Sequence, residues 1–133
     1  MRRFLLCENR HMTDARQELG KIGEELAVVE LQRRGYAITA RRYRTPCGEI
    51  DIVCDHEGVL VFVEVKARAD AEFGTAAEAV TPWKQRRIAK MAVDFLARHR
   101  LNDRPCRFDV VAVDVSGAAT TVDVYTHAFD ALE

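Results

Sequence analysis

The chain has 133 residues, 48% hydrophobic and 31% charged, with 20 basic side chains against 21 acidic ones and a net charge of −1. That length fits one domain, large enough to bury a core without help from disulfides or a metal. The charge balance excludes a protein drawn to polyanions by its overall field, so any nucleic-acid function must rest on a local basic face.

Residues 1–12 open like a signal peptide, but Phe4-Leu5-Leu6-Cys7 is too short for an apolar core of ~7–15 residues. They are expected to form a disordered tail, with Met12 a plausible alternative start, and residues 13–130 to form the domain. From Thr13 to Arg34 the pattern is helical, and Leu19, Ile22, Leu26 and Val29 share one face. Thr13 or Asp14 can cap its start and Gly35 suits its end. Gly20 and Gly23 each cost roughly 1 kcal/mol relative to Ala, which points to a close approach by backbone or ligand, or to a later helix start.

Three strand signals follow: Tyr36 to Tyr43, Glu49 to Cys54, and Val59 to Val65. Turns are expected at Thr45-Pro46-Cys47-Gly48 and at Asp55-His56-Glu57-Gly58, the second closing a hairpin. The run VLVFVEV suits a central strand covered on both faces. Residues 69–79 read as a loop with a short helical piece. Thr81 is a good N-cap with Pro82 at N1, and Ile88, Met91, Ala92, Phe95 and Leu96 form a helical stripe toward Arg100. Strands at Phe108–Val115 and Thr120–Thr126 complete an α-βββ-α-ββ order, a mixed sheet flanked by helices with a parallel β-α-β crossover.

Cys7, Cys47, Cys54 and Cys106 form no CxxC pair, and His11, His56, His99 and His127 share no ligand spacing. Free thiols in a reducing cytosol are expected, with Cys54 and Cys106 in the core. No apolar run approaches the ~20 residues that span a bilayer, so a cytoplasmic protein with no membrane contact is expected.

The chemistry-bearing residues lie in the second and third strands. Glu64 and Lys66 share a face that continues Leu60 and Phe62, so a core strand ends in a carboxylate and an amine. A hairpin about Gly58 pairs residues whose numbers sum to about 115, which brings Asp51 to Glu64. Two converging carboxylates repel unless a cation lies between them, and oxygen ligands suit Mg²⁺ or Mn²⁺. Such an ion polarises a phosphate and acidifies water, while a nearby lysine orients that water or offsets developing charge. A plain ion pair at a strand end accounts for the same residue types.

Asp51 followed by Glu64-Val65-Lys66 resembles the PD-(D/E)XK nuclease signature. The wider string is more specific: Gly20-x-x-Gly23-Glu24, Gly48-Glu49-Ile50-Asp51, Phe62 to Arg68, Phe73-Gly74, Lys84 and Arg107-Phe108-Asp109. Together these resemble the YraN-like uncharacterised protein family, itself similar to archaeal Holliday-junction resolvases. The resemblance covers roughly Gly20 to Val115 and implies a restriction-endonuclease-like α/β fold. It also implies Asp51 and Glu64 as metal ligands, Lys66 as the catalytic lysine and Glu24 as a helical carboxylate completing the site. A solvated helix residue is the alternative for Glu24. Ile50-Asp51 stands where the signature has Pro-Asp, as is usual in the resolvase-like branch.

Phosphate contacts are expected from Arg68, Lys84, Arg87 and Arg44, although a basic amphipathic helix is more often simply solvated. Trp83 is expected as a core or helix-start anchor. The expected function is nucleic-acid binding with Mg²⁺-dependent, structure-selective endonuclease action on DNA. The alternative is a non-catalytic binding and recruitment module on the same scaffold. Resolvase relatives act as dimers, which makes a homodimer the corresponding expectation.

Overall fold

The computed structural model describes residues 2–69 and 80–130, with side chains from Asp14 onward. Helix α1 (Arg2–Arg33) leads into β1 (Ala37–Thr45), β2 (Gly48–His56) and β3 (Val59–Arg68). Helix α2 (Pro82–Arg98) then precedes β4 (Cys106–Asp114) and β5 (Thr121–Phe129). The expected order of elements is therefore present. The loop expected over 69–79, with Phe73-Gly74, lies almost wholly outside the described residues.

The five strands form one sheet in the order β1-β2-β3-β4-β5, parallel only between β3 and β4. The β2–β3 hairpin turns on Glu57 and Gly58, both at positive φ (52° and 84°), the geometry of a two-residue turn matched to strand twist. Its ladder runs from His56 opposite Val59 to Ile52 opposite Val63, the register the sum of about 115 anticipates.

The helices cover opposite faces of the sheet. Leu60, Phe62, Phe108 and Val110 pack with Ile88, Met91, Phe95 and Leu96 of α2. Ile52, Val61, Val63 and Val111 pack with Ala27, Val28 and Leu31 of α1. Strand β3, in the middle, is thus buried on both sides, which is why its sequence shows almost no alternation.

The end of α1 and the start of α2 have the expected caps, whereas Thr13 and Asp14, expected to cap the start of α1, lie inside it. Gly35, at φ 91°, follows α1, and Tyr36 N–H returns to the Leu31 carbonyl at 2.9 Å. Thr81 Oγ1 accepts from Lys84 N–H at 3.3 Å, with Pro82 at the first helical position.

Three expectations need correction. First, α1 begins at Arg2 and replaces the tail expected up to residue 12; Arg2–Leu19 contains neither Gly nor Pro to interrupt a helix. Second, the buried face of α1 is not the Leu19–Ile22–Leu26–Val29 stripe, since Ile22 and Val29 are 45% and 62% exposed. The contact runs through Gly23, Ala27, Val28 and Leu31. An added Cβ on Gly23 would stand 2.7 Å from Ala67 Cβ, so the helix comes closest to the sheet at a residue that has no side chain. Third, Trp83 is not a core anchor: it is 60% exposed, with the Arg87 guanidinium 5.2 Å from its ring centroid. It lies off the buried stripe, about 140° around the helix from Ile88 at 100° per residue.

Cys54 is buried and Cys106 half-buried, as expected, and Cys47 is exposed; all three are free. Among the described residues no helix is long and apolar enough to cross a membrane.

Candidate functional site

The cluster sits where β2 and β3 separate. One step beyond the Ile52–Val63 pair, Asp51 Oδ2 accepts the Val65 amide at 2.8 Å, replacing a ladder carbonyl with a carboxylate. Strand β1 is irregular at the same level. Arg41 pairs with Ile52 and Tyr43 with Ile50, leaving Arg42 opposite Asp51 at φ 50°, an uncommon conformation for a non-glycine residue. Across this level β2 changes face: Ile50 packs toward α2 and Ile52 toward α1. Asp51 is the residue at the crossover.

Glu64 is hydrogen-bonded to Asp51, so the two carboxyl groups meet as the hairpin register requires. Both are partly buried, and both hold protons more tightly than free carboxyls. For Asp51 burial is the main cause. Glu64 is pushed up to about 8, first by burial and then by the Asp51 charge. Lys66 lies close enough to oppose both shifts. This is one proton shared between two acids near an amine.

Lys84, expected as a phosphate contact, stands in the first turn of α2 and joins this cluster. It interacts with Lys66 and Glu64, and the Lys66 ammonium, through hydrogen bonding and charge, holds its pKa below the usual lysine range. The signal is present in the sequence: in a parallel β-α-β crossover the helix starts beside the carboxyl end of the first strand. Thr81-Pro82 marks that start three residues from Lys84.

Glu24 lies near Asp51 but is not aimed freely at it. It is 7% exposed and accepts Arg41 Nε at 3.1 Å and Arg42 Nε at 2.8 Å. The positive φ of Arg42 lets two successive arginines reach one glutamate, which regular pleating forbids. Among the described residues no three His, Cys, Asp or Glu side chains are arranged to hold a metal. The donors are the Asp51–Glu64 pair, and their chemistry fits a hard divalent ion. A cation can take the place of the shared proton, leaving its other positions to water and phosphate oxygens.

The remaining residues expected at phosphates are spread out. Arg44 is paired with Glu49 at 3.0 Å on the surface, Arg87 stacks on Trp83, and Arg68 lies opposite Asp114 across the β3–β4 ladder. Beside the cluster is a cleft of about 600 Å³ between α1 and the ends of β1–β3. Asp51, Val65, Lys66 and Ala67 line it among others.

Arg107-Phe108-Asp109 belongs to a separate network. Fully buried Asp109 accepts from Tyr36 Oη at 2.9 Å, Arg107 Nε at 3.0 Å and the His127 amide at 2.9 Å. His56 stacks on Tyr36 at 4.0 Å and meets the same guanidinium. Burial first, and Asp109 second, push the Tyr36 hydroxyl up to about 12. Every polar group in this network has a partner, and the network ties the end of α1 to β2, β4 and β5.

Fold and cluster together define a class: an α/β domain whose central strand brings a carboxyl and a lysine against a carboxyl of the neighbouring strand, with a second lysine from the crossover helix. Residues 23–113, which span all of these groups, match the family described as Uncharacterised protein family UPF0102, and the chain belongs to it. Among its relatives, a UPF0102 protein of Roseiflexus castenholzii is 46% identical over 114 residues, covering 85% of this chain and 92% of that protein. One of Ralstonia pickettii is 52% identical over 99 residues, covering 71% and 79% respectively. One of Syntrophotalea carbinolica is 44% identical over 119 residues, covering 90% and 97%.

Proposed function

We propose that the chain is a restriction-endonuclease-like, Mg²⁺- or Mn²⁺-dependent endonuclease that hydrolyses phosphodiester bonds in branched DNA. The observation that carries this reading is the contact of Asp51 with Glu64 beside Lys66 at the parting of β2 and β3. Two acids sharing a proton are a poor structural element, because each is desolvated and repels the other. They are a good receptor for a divalent ion.

When bound, that ion would polarise the phosphate and acidify a water. Asp51 and Glu64 would hold it. Asp51 is fixed by the Val65 amide, so its free oxygen points into a preset position. Lys66 would hold the attacking water or offset charge on the phosphate. Lys84, kept weakly basic by Lys66, supplies a second donor on the α2 side. Glu24, bridged by Arg41 and Arg42, positions the strained β1 segment opposite Asp51. Arg44, Arg68 and Arg87 are outer phosphate contacts. The reading includes a cytoplasmic location and a homodimer, since two strands of a junction are cut in symmetry.

Incubating branched DNA with the protein and Mg²⁺ tests the proposal. Cleavage should fall at least a hundredfold with Asp51→Asn or Lys66→Ala, in keeping with ~10²–10³ for loss of one catalytic group. Cleavage that survives both substitutions rejects the assignment.

A second reading, a non-catalytic nucleic-acid-binding and recruitment module, is favoured by one observation: Glu24 is engaged by two arginines and adds no third ligand among the described residues. Calorimetry with Mn²⁺ separates the two, since a recruitment module needs no metal.

A further inference from the structure

Two glycines in α1 carry the same cost, and only one has a reason within the protein. Gly23 is required by Ala67, whereas a Cβ on Gly20 would meet nothing within 4 Å. A glycine inside a helix with open space above it weakens the helix without serving the packing. Gly20 lies on the cleft, and Arg16, Gln17 and Lys21 line the same wall. These positions, with Glu24 a turn further on, are spaced as one helical face.

The two walls of the cleft differ electrostatically. Arg42 and Arg44, on the strand side, are each held by a glutamate, Glu24 and Glu49. Among the described residues neither the Arg16 nor the Lys21 side chain makes an ion pair or a hydrogen bond. Their charges therefore face the cleft beside the Asp51 cluster without a partner among those residues.

We infer that the Arg16–Gln17–Gly20–Lys21 face of α1 is a seat for the sugar-phosphate backbone of the nucleic-acid strand entering the site. Gly20 lets the strand lie against the helix backbone, and Arg16 and Lys21 clasp the phosphates on either side. This seat rests on the nuclease reading of the Asp51 cluster and extends it, because the first helix takes the larger share of the strand contacts and α2 only the outer ones.

The test is anisotropy of a fluorescein-labelled branched DNA titrated with the full chain in EDTA, so that cleavage is absent. The binding constant varies as salt to about the −0.9 power per phosphate neutralised, so removing one such cation weakens binding about fivefold at ~0.15 M salt. The double variant Arg16→Gln/Lys21→Gln should bind on the order of 25-fold more weakly, with a salt slope smaller by about 1.8. Gly20→Gln should melt at a higher temperature than the parent and yet bind at least tenfold more weakly, a combination that a structural role cannot produce. Arg86→Gln/Lys90→Gln on α2 should change binding less than the α1 pair does. If the parent binds DNA and both α1 variants bind equally well, the seat is refuted while the proposed function stands. If the parent binds no nucleic acid at all, both fall.

Discussion

Replacing Glu64 with Gln tests the coupled carboxyls most directly. In the folded chain Glu64 binds its proton up to about pH 8, whereas an unfolded glutamate releases it near 4.5. The folded state therefore holds more protons between those values, and stability must fall as pH rises through that window. The contribution is fully present below pH 4.5 and lost by about pH 8. Integrated to pH 7, the loss is about 3 kcal/mol at most, and Asp51, shifted in the same direction, adds to it. A Gln at this position carries no charge, and its amide can donate to the Asp51 carboxylate as the protonated acid does. In EDTA at pH 7, Glu64→Gln should be more stable than the parent by about 1–3 kcal/mol, with a flatter profile from pH 5 to 8. Urea unfolding at several pH values measures both. Adding Mg²⁺ at ten times its dissociation constant should stabilise the parent by about 1.4 kcal/mol, and the variant much less. A structural Glu64–Lys66 ion pair demands the opposite sign. If Glu64→Gln is destabilised at pH 7, or if parent stability rises from pH 5 to 8, the coupled-acid account is wrong.

Two further outcomes follow from packing and buried charge. Gly23→Ala gains roughly 1 kcal/mol of helix propensity but forces its Cβ against Ala67, where overpacking costs ~1–3 kcal/mol. Its melting temperature should fall while that of Gly20→Ala rises, and a thermal scan of the pair separates steric need from open space. Asp109→Ala strands the Arg107 guanidinium and should cost ~3–5 kcal/mol in denaturant unfolding.

Elements and register are legible in the sequence because they depend on local rules. Thr81-Pro82 starts a helix and Gly35 ends one whatever surrounds them. The Glu57-Gly58 turn sets the pairing of β2 with β3, and a two-residue side-chain period then brings Asp51 to Glu64. The buried face of α1 is not legible in the same way, because periodicity weighs large apolar residues and here Gly23 and Ala27 share the contact with Val28 and Leu31. Trp83 misleads for a related reason: its size suggests a core, but its angle on α2 directs it outward.

Sequence by itself thus determined which carboxylates meet, since hairpin geometry is set by neighbours along the chain. Tertiary structure alone decided what surrounds them. Lys84 arrives on another layer, Arg41 and Arg42 hold Glu24 through a strained backbone, and Arg107 with Asp109 closes a network across four elements. These contacts join residues far apart in the chain, and their directions follow from packing angles and a backbone irregularity at Arg42 that no short-range pattern encodes.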